Sequence, residues 1–432
     1  MLILLWSNLI VNAGSKITKF RHRLFLAEIF KIAITAFGGP EVHLAIFSKR
    51  LVTEKKFFTQ AELLETYSIC TLLPGPSSTQ TITTLGYKYG GPSLGFLSLL
   101  VWILPSFIIM TALSFLYAGL PSDAIHTLRF IRPLAVSFII VAAIRMITPL
   151  VKNKLSLFLA GYAFFVCALL RHPLEAYIKT PWMFPVVLVT GAMIAYFFNK
   201  ESVYFRDKKL NVNWRYLGAF VIIFIVAGII SKLTRNPFAI MFENNYRFGS
   251  LVFGGGNVLL PMIFEQFVKF KQYITADEFI TGVGLVQATP GPVFSIATFT
   301  TGLALDSKGI WAHVGGCVIG TTAIFLPGSL LAFWLFPVWN NIKKFRFFQR
   351  SFPGILATSS GLVAASAYLL FLPIGLHWKE ENNFFYTNLV KENPVNWLNV
   401  VTIAVLCALL YKTKIPSPYW VLMAIITGII IR

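Results

Sequence analysis

Long apolar runs alternate with short polar loops along this chain. Ser93–Leu120 is one clear run, with Pro105 inside it. Pro133–Val151, Leu155–Leu170, Trp182–Phe198 and Tyr216–Ser231 follow, then Ile310–Trp339, Phe352–Leu376, Val395–Leu410 and Tyr419–Ile431. Runs of this length predict membrane-crossing helices, roughly ten to fourteen of them once broken ones are counted. Residues 24–36 also read as helix, but they stop at Gly38-Gly39-Pro40, and a second piece runs from there to about Val52. Proline suits the first turn of a helix, where its missing N–H costs nothing. Neither piece reaches the ~20 residues needed to span alone. Lys19, Arg21 and Arg23 flank one end and Lys49, Arg50, Lys55 and Lys56 the other, which predicts a hairpin entering and leaving on one face. A more polar stretch, Phe57–Leu73, then ends at Pro74-Gly75-Pro76, followed by Ser77-Ser78-Thr79-Gln80.

Both interruptions return. Phe37-Gly38-Gly39-Pro40 recurs as Phe253-Gly254-Gly255-Gly256, and Pro74-Gly75-Pro76 as Pro290-Gly291-Pro292; 253 − 37 and 290 − 74 both give 216. Val42 and Val258, Thr59 and Thr275, Glu62 and Glu278, and Gly86 and Gly302 keep that register. A fixed spacing across dissimilar halves predicts an internal duplication. The expected organisation is an N-terminal segment (1–23), a first repeat (24–198), a basic linker (199–215) and a second repeat (216–432). The loop Lys49–Lys56 is basic, while its counterpart, with Glu265, Asp277 and Glu278, is acidic on balance. Opposite charge on matched loops is expected of repeats in opposite orientation. The predicted fold class is therefore an all-α integral membrane protein of two inverted-topology repeats, broken or re-entrant at the Phe-Gly-Gly and Pro-Gly-Pro motifs.

Composition narrows the class. Of 432 residues, 56% are apolar and 12% charged, against about 25% charged in soluble domains. Mean hydropathy is +0.72. The net charge of +20 would suggest nucleic acid in a soluble protein. Here the bases cluster in short loops, the positive-inside pattern, and no basic stripe with stacking aromatics occurs, so nucleic acid is excluded as a partner. Lys200, Arg206, Lys208, Lys209 and Arg215 make the linker cytoplasmic by the same rule. Cys70, Cys167, Cys317 and Cys407 lie in apolar stretches without metal-ligand or redox spacing, and read as small buried hydrophobes. Met1–Val11 is apolar but short and lacks a preceding base, a poor fit to a signal peptide. An interfacial anchor, part of a leader and a short first span all remain open for it. No phosphate-binding loop, His-Glu-x-x-His or Gly-x-Ser-x-Gly motif occurs, so neither enzyme activity nor a cofactor or metal is expected.

Chemistry is expected at the breaks. Every backbone group in a bilayer needs a partner, so broken helices are tolerated where they pack in protein or line a wet cavity. Paired discontinuous helices mark the central site of many transporters; a kink for packing or a close crossing at the glycines is the structural alternative. A helix start offers unpaired N–H groups and the positive end of a dipole. The expected site therefore comprises Gly38, Gly39, Pro40 and His43, with Pro74, Gly75, Pro76, Ser77, Ser78 and Gln80. The second half adds Gly254, Gly255 and Gly256, with Gln287, Pro290, Gly291 and Pro292. Donors without an acidic cluster suit an oxyanion; N-capping is the ordinary role for the same hydroxyls. Arg145, inside an apolar run, is a candidate anion ligand or the structural partner of Glu62 or Glu65. His43, Glu62 and Glu278 are candidate coupling residues, His43 equally an interior hydrogen-bonding residue, and Glu28 and Lys31 are spaced to pair.

These stretches resemble the chromate ion transporter family in its long form with two homologous halves. Phe37-Gly38-Gly39-Pro40 with His43, Leu73-Pro74-Gly75-Pro76 with Gln80, and Leu104-Pro105-Ser106 are similar to its first-half signature. Phe253-Gly254-Gly255-Gly256-Asn257-Val258, Leu260-Pro261 and Gln287-Ala288-Thr289-Pro290-Gly291-Pro292 are similar to the second. The likeness covers most of residues 24–370 in order. It implies a multi-pass carrier, expected in the plasma membrane, for chromate, usually exported, with sulfate as the natural competitor. An anion channel of the same fold is the rival. Membrane lipid and a second copy of the chain are the other expected partners. Thr71 departs from the family's glutamine, which Gln287 retains, and the Lys379–Lys391 insertion and phenylalanine-rich spans depart from the compact bacterial pattern.

Overall fold

Helix α1 (Leu2–Thr35) ends where Gly38 and Gly39 adopt φ of 101° and 88°, backbone that other residues rarely reach. The computed structural model describes residues 2–121, 126–150, 153–169, 180–198, 214–253, 255–342, 346–375, 397–413 and 415–430, with no strand among them. Helix α2 (Pro40–Phe47) starts on the proline and continues as a wider π segment over Ser48–Glu54. A capping box of Thr59 and Glu62 opens α3 (Gln60–Thr71). After the Pro-Gly-Pro break comes α4 (Ser77–Ala118), kinked at Gly90 and Gly91. Helices α5 (Ile131–Ile147), α6 (Lys154–Phe164) and α7 (Thr180–Phe198) follow.

The second half opens with α8 (Arg215–Thr234) and then repeats the first half's boundaries in the register of 216 residues. Helix α9 (Pro237–Leu251) ends at the position matching the end of α1. Helix α10 (Gly256–Ile263), a π segment (Phe264–Phe270) and α11 (Ala276–Gln287) begin and end at the positions matching α2, its π segment and α3. Thr275 and Glu278 rebuild the capping box. Helices α12 (Ile296–Asp306) and α13 (Ile310–Ile342), separated by a turn, stand for the two limbs of α4. Helices α14 (Arg346–Gly375), α15 (Trp397–Lys412) and α16 (Ser417–Ile430) complete the chain.

The halves interlock at their breaks. The Gly75 N–H donates to the Val252 carbonyl at 2.7 Å, and the Gly291 N–H donates to the Ala36 carbonyl at 2.8 Å. Ala36 matches Val252 and Gly75 matches Gly291, so this is one bond made twice, as a two-fold relation between the halves requires. Each bond satisfies the end of one half's helix with the loop of the other, in an interior where an orphan backbone group is costly. Around this knot α4 packs on α12 and α13, and α14 packs on α5, α6 and α7. Trp102, Phe25, Phe47, Phe248 and Phe267 are fully buried. Helices in lipid gain little from hydrophobic burial against each other, so close approach matters more. On α13, Gly316 and Gly320 let α12 come so near that a Cβ on either would strike the Thr301 or Ala297 carbonyl. Large apolar side chains on α8, α15 and α16 face outward, Leu233, Trp397 and Ile430 among them. Among the described residues, four helices are long and apolar enough to cross a membrane, namely α4, α8, and 310–339 and 349–372 of α13 and α14. The protein is an all-α membrane protein.

Two expectations change. The incoming limb of the first hairpin is not short: α1 has 34 residues. Helix α9 had no apolar run to announce it, because Glu243, Asn244 and Arg247 make it amphipathic; their side chains bond to one another inside the protein. Most of the linker, residues 199–213, lies outside the described residues, as does 379–391, and Arg215 opens α8.

Candidate functional site

Four helix starts converge on one small cavity. Gly39, Pro40 and His43 line it from α2, Pro76 and Ser78 from α4, Gly255 and Gly256 from α10, and Pro292, Val293 and Phe294 from the turn leading into α12. Its atom-free space, mouth included, is about 260 Å³. Matched positions meet there: Gly39 with Gly255, Pro40 with Gly256, Pro76 with Pro292, and Ser78 with Phe294.

These starts are bare. None of Gly39, Pro76, Gly255 and Pro292, the residues that precede the four first turns, caps its helix with a side chain. The next helix of each half is capped, by Thr59 and Thr275. The N-capping alternative for Ser77 and Ser78 is therefore not realised at α4. Unpaired N–H groups and aligned dipoles converging on one point make an anion-binding environment. Glycine at the caps has a physical cause: Gly39 has φ 88°, ψ −178° and Gly255 φ 97°, ψ −174°, a region essentially restricted to glycine.

His43 is a buried polar group at this wall, 1% exposed, as Ser78 is at 2%. Its Nε2 lies 3.2 Å from the Ala36 carbonyl, which can only accept, so Nε2 carries the hydrogen. Nδ1 has no hydrogen-bond partner among the described residues. Trp102 packs edge-on against the ring at 5.4 Å and donates its indole N–H to Thr79 Oγ1 at 3.0 Å. The Ala36 carbonyl is also the acceptor for Gly291, so His43 rests on the bond that joins the halves.

The other expected residues have different places. Gly38, Pro74, Gly75, Pro290 and Gly291 shape the breaks without lining the cavity, and Ser77 is buried at the start of α4. Gln80 is a brace: its amide donates to the Pro74 and Gly328 carbonyls at 2.7 and 3.2 Å. Gln287 ends α11 outside the lining, and Gly254 is outside the described residues. Arg145 is a correction. It lies exposed in the last turn of α5 and donates to the Leu410 carbonyl of α15 at 3.0 Å, away from the cavity. A long cationic side chain at a helix end reaches outward and satisfies carbonyls, which explains an arginine in an apolar run.

Glu62, its suggested partner, pairs with Lys88 at 2.7 Å and caps α3. Lys88 and the Thr59 backbone hold the Glu62 carboxyl down to about 2. Such a group carries no proton near neutral pH, which argues against a coupling role. Glu278 caps α11 in the same way. Glu28 does lie beside Lys31, at 3.6 Å, and Arg50 joins them at 3.5 Å. Val293 and Phe294 carry no polar group to mark them in the sequence; their register with Ser77 and Ser78 is the signal that points to them.

A family model described as chromate transporter matches residues 23–196 and 239–429. The chain belongs to the chromate transporter family. A probable chromate transport protein of Synechococcus elongatus is 24% identical over 345 residues, 79% of this chain and 82% of the relative. The chromate transport protein of Cupriavidus metallidurans is 23% identical, covering 80% of this chain and 79% of its own. An uncharacterized transporter of Methanocaldococcus jannaschii is 22% identical over 78% of this chain and 81% of its own. No solved structure matches the chain. Members of the family are transporters and not enzymes, so this protein is an ion transporter of a membrane.

Proposed function

We propose that the protein carries a tetrahedral oxyanion, chromate first and sulfate in competition, through the cavity between its broken helices. One observation carries the reading: two uncapped helix starts from each half meet at matched positions. An ion there exchanges water for backbone N–H groups, with Ser78 adding a hydroxyl. The two halves, inverted in the membrane, rock about the Gly75–Val252 and Gly291–Ala36 bonds to open the cavity to either face in turn. His43 is the coupling candidate this geometry favours. A dianion is repelled by the bare lone pair of Nδ1, so the ion enters with a proton, either its own or one on the ring. The plasma membrane is the proposed location, where export lowers the load of a toxic anion.

Labelled sulfate flux in vesicles, challenged with chromate, molybdate and chloride, tests the reading. Saturable counter-exchange blocked by chromate and molybdate but not by chloride is expected. Flux that ignores both oxyanions, or that shows the unitary currents of a pore, overturns it.

A further inference from the structure

Away from the cavity, a fully buried imidazole joins the two halves. His313, at the start of α13, holds Asp306 Oδ1 with Nδ1 at 2.7 Å and Ser114 Oγ of α4 with Nε2 at 2.8 Å. Its ring stacks on Phe115 at 4.0 Å between centroids. The Asp306 side chain is 48% exposed and the His313 side chain 0%, so the pair leads from solvent into the interior. Position 97, its match in the first half, is leucine, so the arrangement exists on one side only.

We propose that Asp306, His313 and Ser114 form a proton-binding clasp, which ties the long helix of the first half to the second half when it is protonated. The hydrogens decide the direction. Ser114 Oγ also stands 2.8 Å from the Thr111 carbonyl, to which it donates. In the imidazolium both ring N–H groups donate, to the Asp306 carboxylate and to Ser114, and Ser114 keeps its bond to Thr111. In the neutral ring the carboxylate keeps the hydrogen on Nδ1. Nε2 must then take the Ser114 hydrogen, and Thr111 loses it. One proton thus adds the Ser114 bond within α4 and an ion pair within the second half, and it turns the His313–Ser114 contact across the joint into a charge-assisted bond, the stronger kind.

The groups around the clasp are few. Helix α12 supplies Asp306; α13 supplies Cys317, whose Sγ lies 3.6 Å from Ser114 Oγ. Lys308 in the connecting turn is exposed, and α9 presents Phe238 against Gly315. Helix α4 carries the effect inward, since Ser114, Met110 and Ser106 stand four residues apart on it. The Thr289 hydroxyl meets the Met110 sulfur at 3.3 Å, and the Ser295 hydroxyl meets Ser106 at 2.8 Å, beside the Gly291 break. The clasp therefore closes the far end of the seam that runs to the cavity.

Its consequence for transport rests on the rocking of the halves proposed above, but proton binding does not, so two readouts are used on the full chain. The first is the ¹⁵N signal of the histidine rings in lipid discs across the range where histidine changes charge. The ring signal that vanishes in His313→Gln should show a second ring N–H on acidification in the wild type, and less of it in Asp306→Asn, whose substitution is exposed and spares the fold. The second is labelled-oxyanion counter-exchange over the same range. As the pH is lowered, wild-type exchange should fall below that of His313→Gln and of Asp306→Asn. A His313 ring that keeps one protonation state, or a His313→Gln protein with the wild-type pH profile, overturns the clasp. If no oxyanion moves in any variant, the transport reading fails and the ring signal alone decides.

Discussion

The two halves share a backbone but not a chemistry. Helix ends, positive-φ glycines and capping boxes repeat in the register of 216 residues, and the bond from Gly75 to Val252 is mirrored by the one from Gly291 to Ala36. The side chains diverge. Ser77 and Ser78 correspond to Val293 and Phe294, His43 stands where the second half has Leu259, and the His313 clasp has no match in the first. What both halves retain is what an ion would need from both, unpaired N–H groups at a break. What only one retains is what a single polar contact or a single proton needs.

The largest effect should come from the shared part. Gly39→Ala and Gly255→Ala each force a side chain into the glycine-only region, at about 1–3 kcal/mol. Neither added Cβ meets an atom within 4 Å, so strain acts without collision. Both variants should reach the membrane and lose about tenfold or more in oxyanion flux, a factor that 1.4 kcal/mol supplies. Flux that falls in only one of them would break the equivalence of the two breaks.

Next comes the unshared polar group. His43→Leu installs the second half's residue, keeps bulk against Trp102, and removes the ring nitrogen beside the cavity. Losing one hydrogen-bonding group to a charged ligand costs about 1.5–3 kcal/mol, so oxyanion affinity should fall at least tenfold while Leu259→His changes it little. Equal losses in the two variants would show that the asymmetry at this wall has no role in binding.

Much of this was legible in the sequence because glycine and proline report backbone geometry directly. Gly39, Gly75, Gly255 and Gly291 announced both breaks and their register, and apolar runs announced α5–α8 and α13–α16 to within a few residues, while the run inside α4 hid its first turns from Ser77. Side-chain partners were not legible. Arg145 and Glu62 were natural mates on charge alone, yet each found a nearer partner, Leu410 and Lys88. His313 was passed over because its carboxylate lies seven residues back across a turn and its hydroxyl on another helix. Helix α9 was not legible because its polar residues interrupt the apolar run and satisfy one another inside the fold.

A smaller effect should separate the capping boxes. Glutamine at the third helical position can still reach back to the cap, so Glu62→Gln and Glu278→Gln both spare the box. Only the first loses a salt bridge, to Lys88, and that pair is about a third exposed on both sides. Exposed pairs are worth about 0.2–1 kcal/mol, so Glu62→Gln should lower thermal stability slightly more than Glu278→Gln. The sign with pH follows from Glu62 being held down from 4.5 to about 2 in the fold. Its contribution is present above 4.5 and fades as pH falls toward 2. Wild type and Glu62→Gln should therefore converge in thermal midpoint over that acid window. A gap that widens on acidification would reverse the assignment.

The smallest effect on transport should come from Arg145. Its guanidinium completes the end of α15 through the Leu410 carbonyl and stands in the last turn of its own helix, where a cation complements the dipole. Arg145→Gln draws the donor back from that carbonyl and should cost stability by about 0.5–1.5 kcal/mol, the net worth of one hydrogen bond. Oxyanion affinity should stay within about twofold, less than the tenfold that 1.4 kcal/mol would bring. A tenfold loss of affinity with the fold intact would require a conformation in which α5 delivers this arginine to the anion. The site would then rest on a side-chain cation from the first half, and not on bare amides from both.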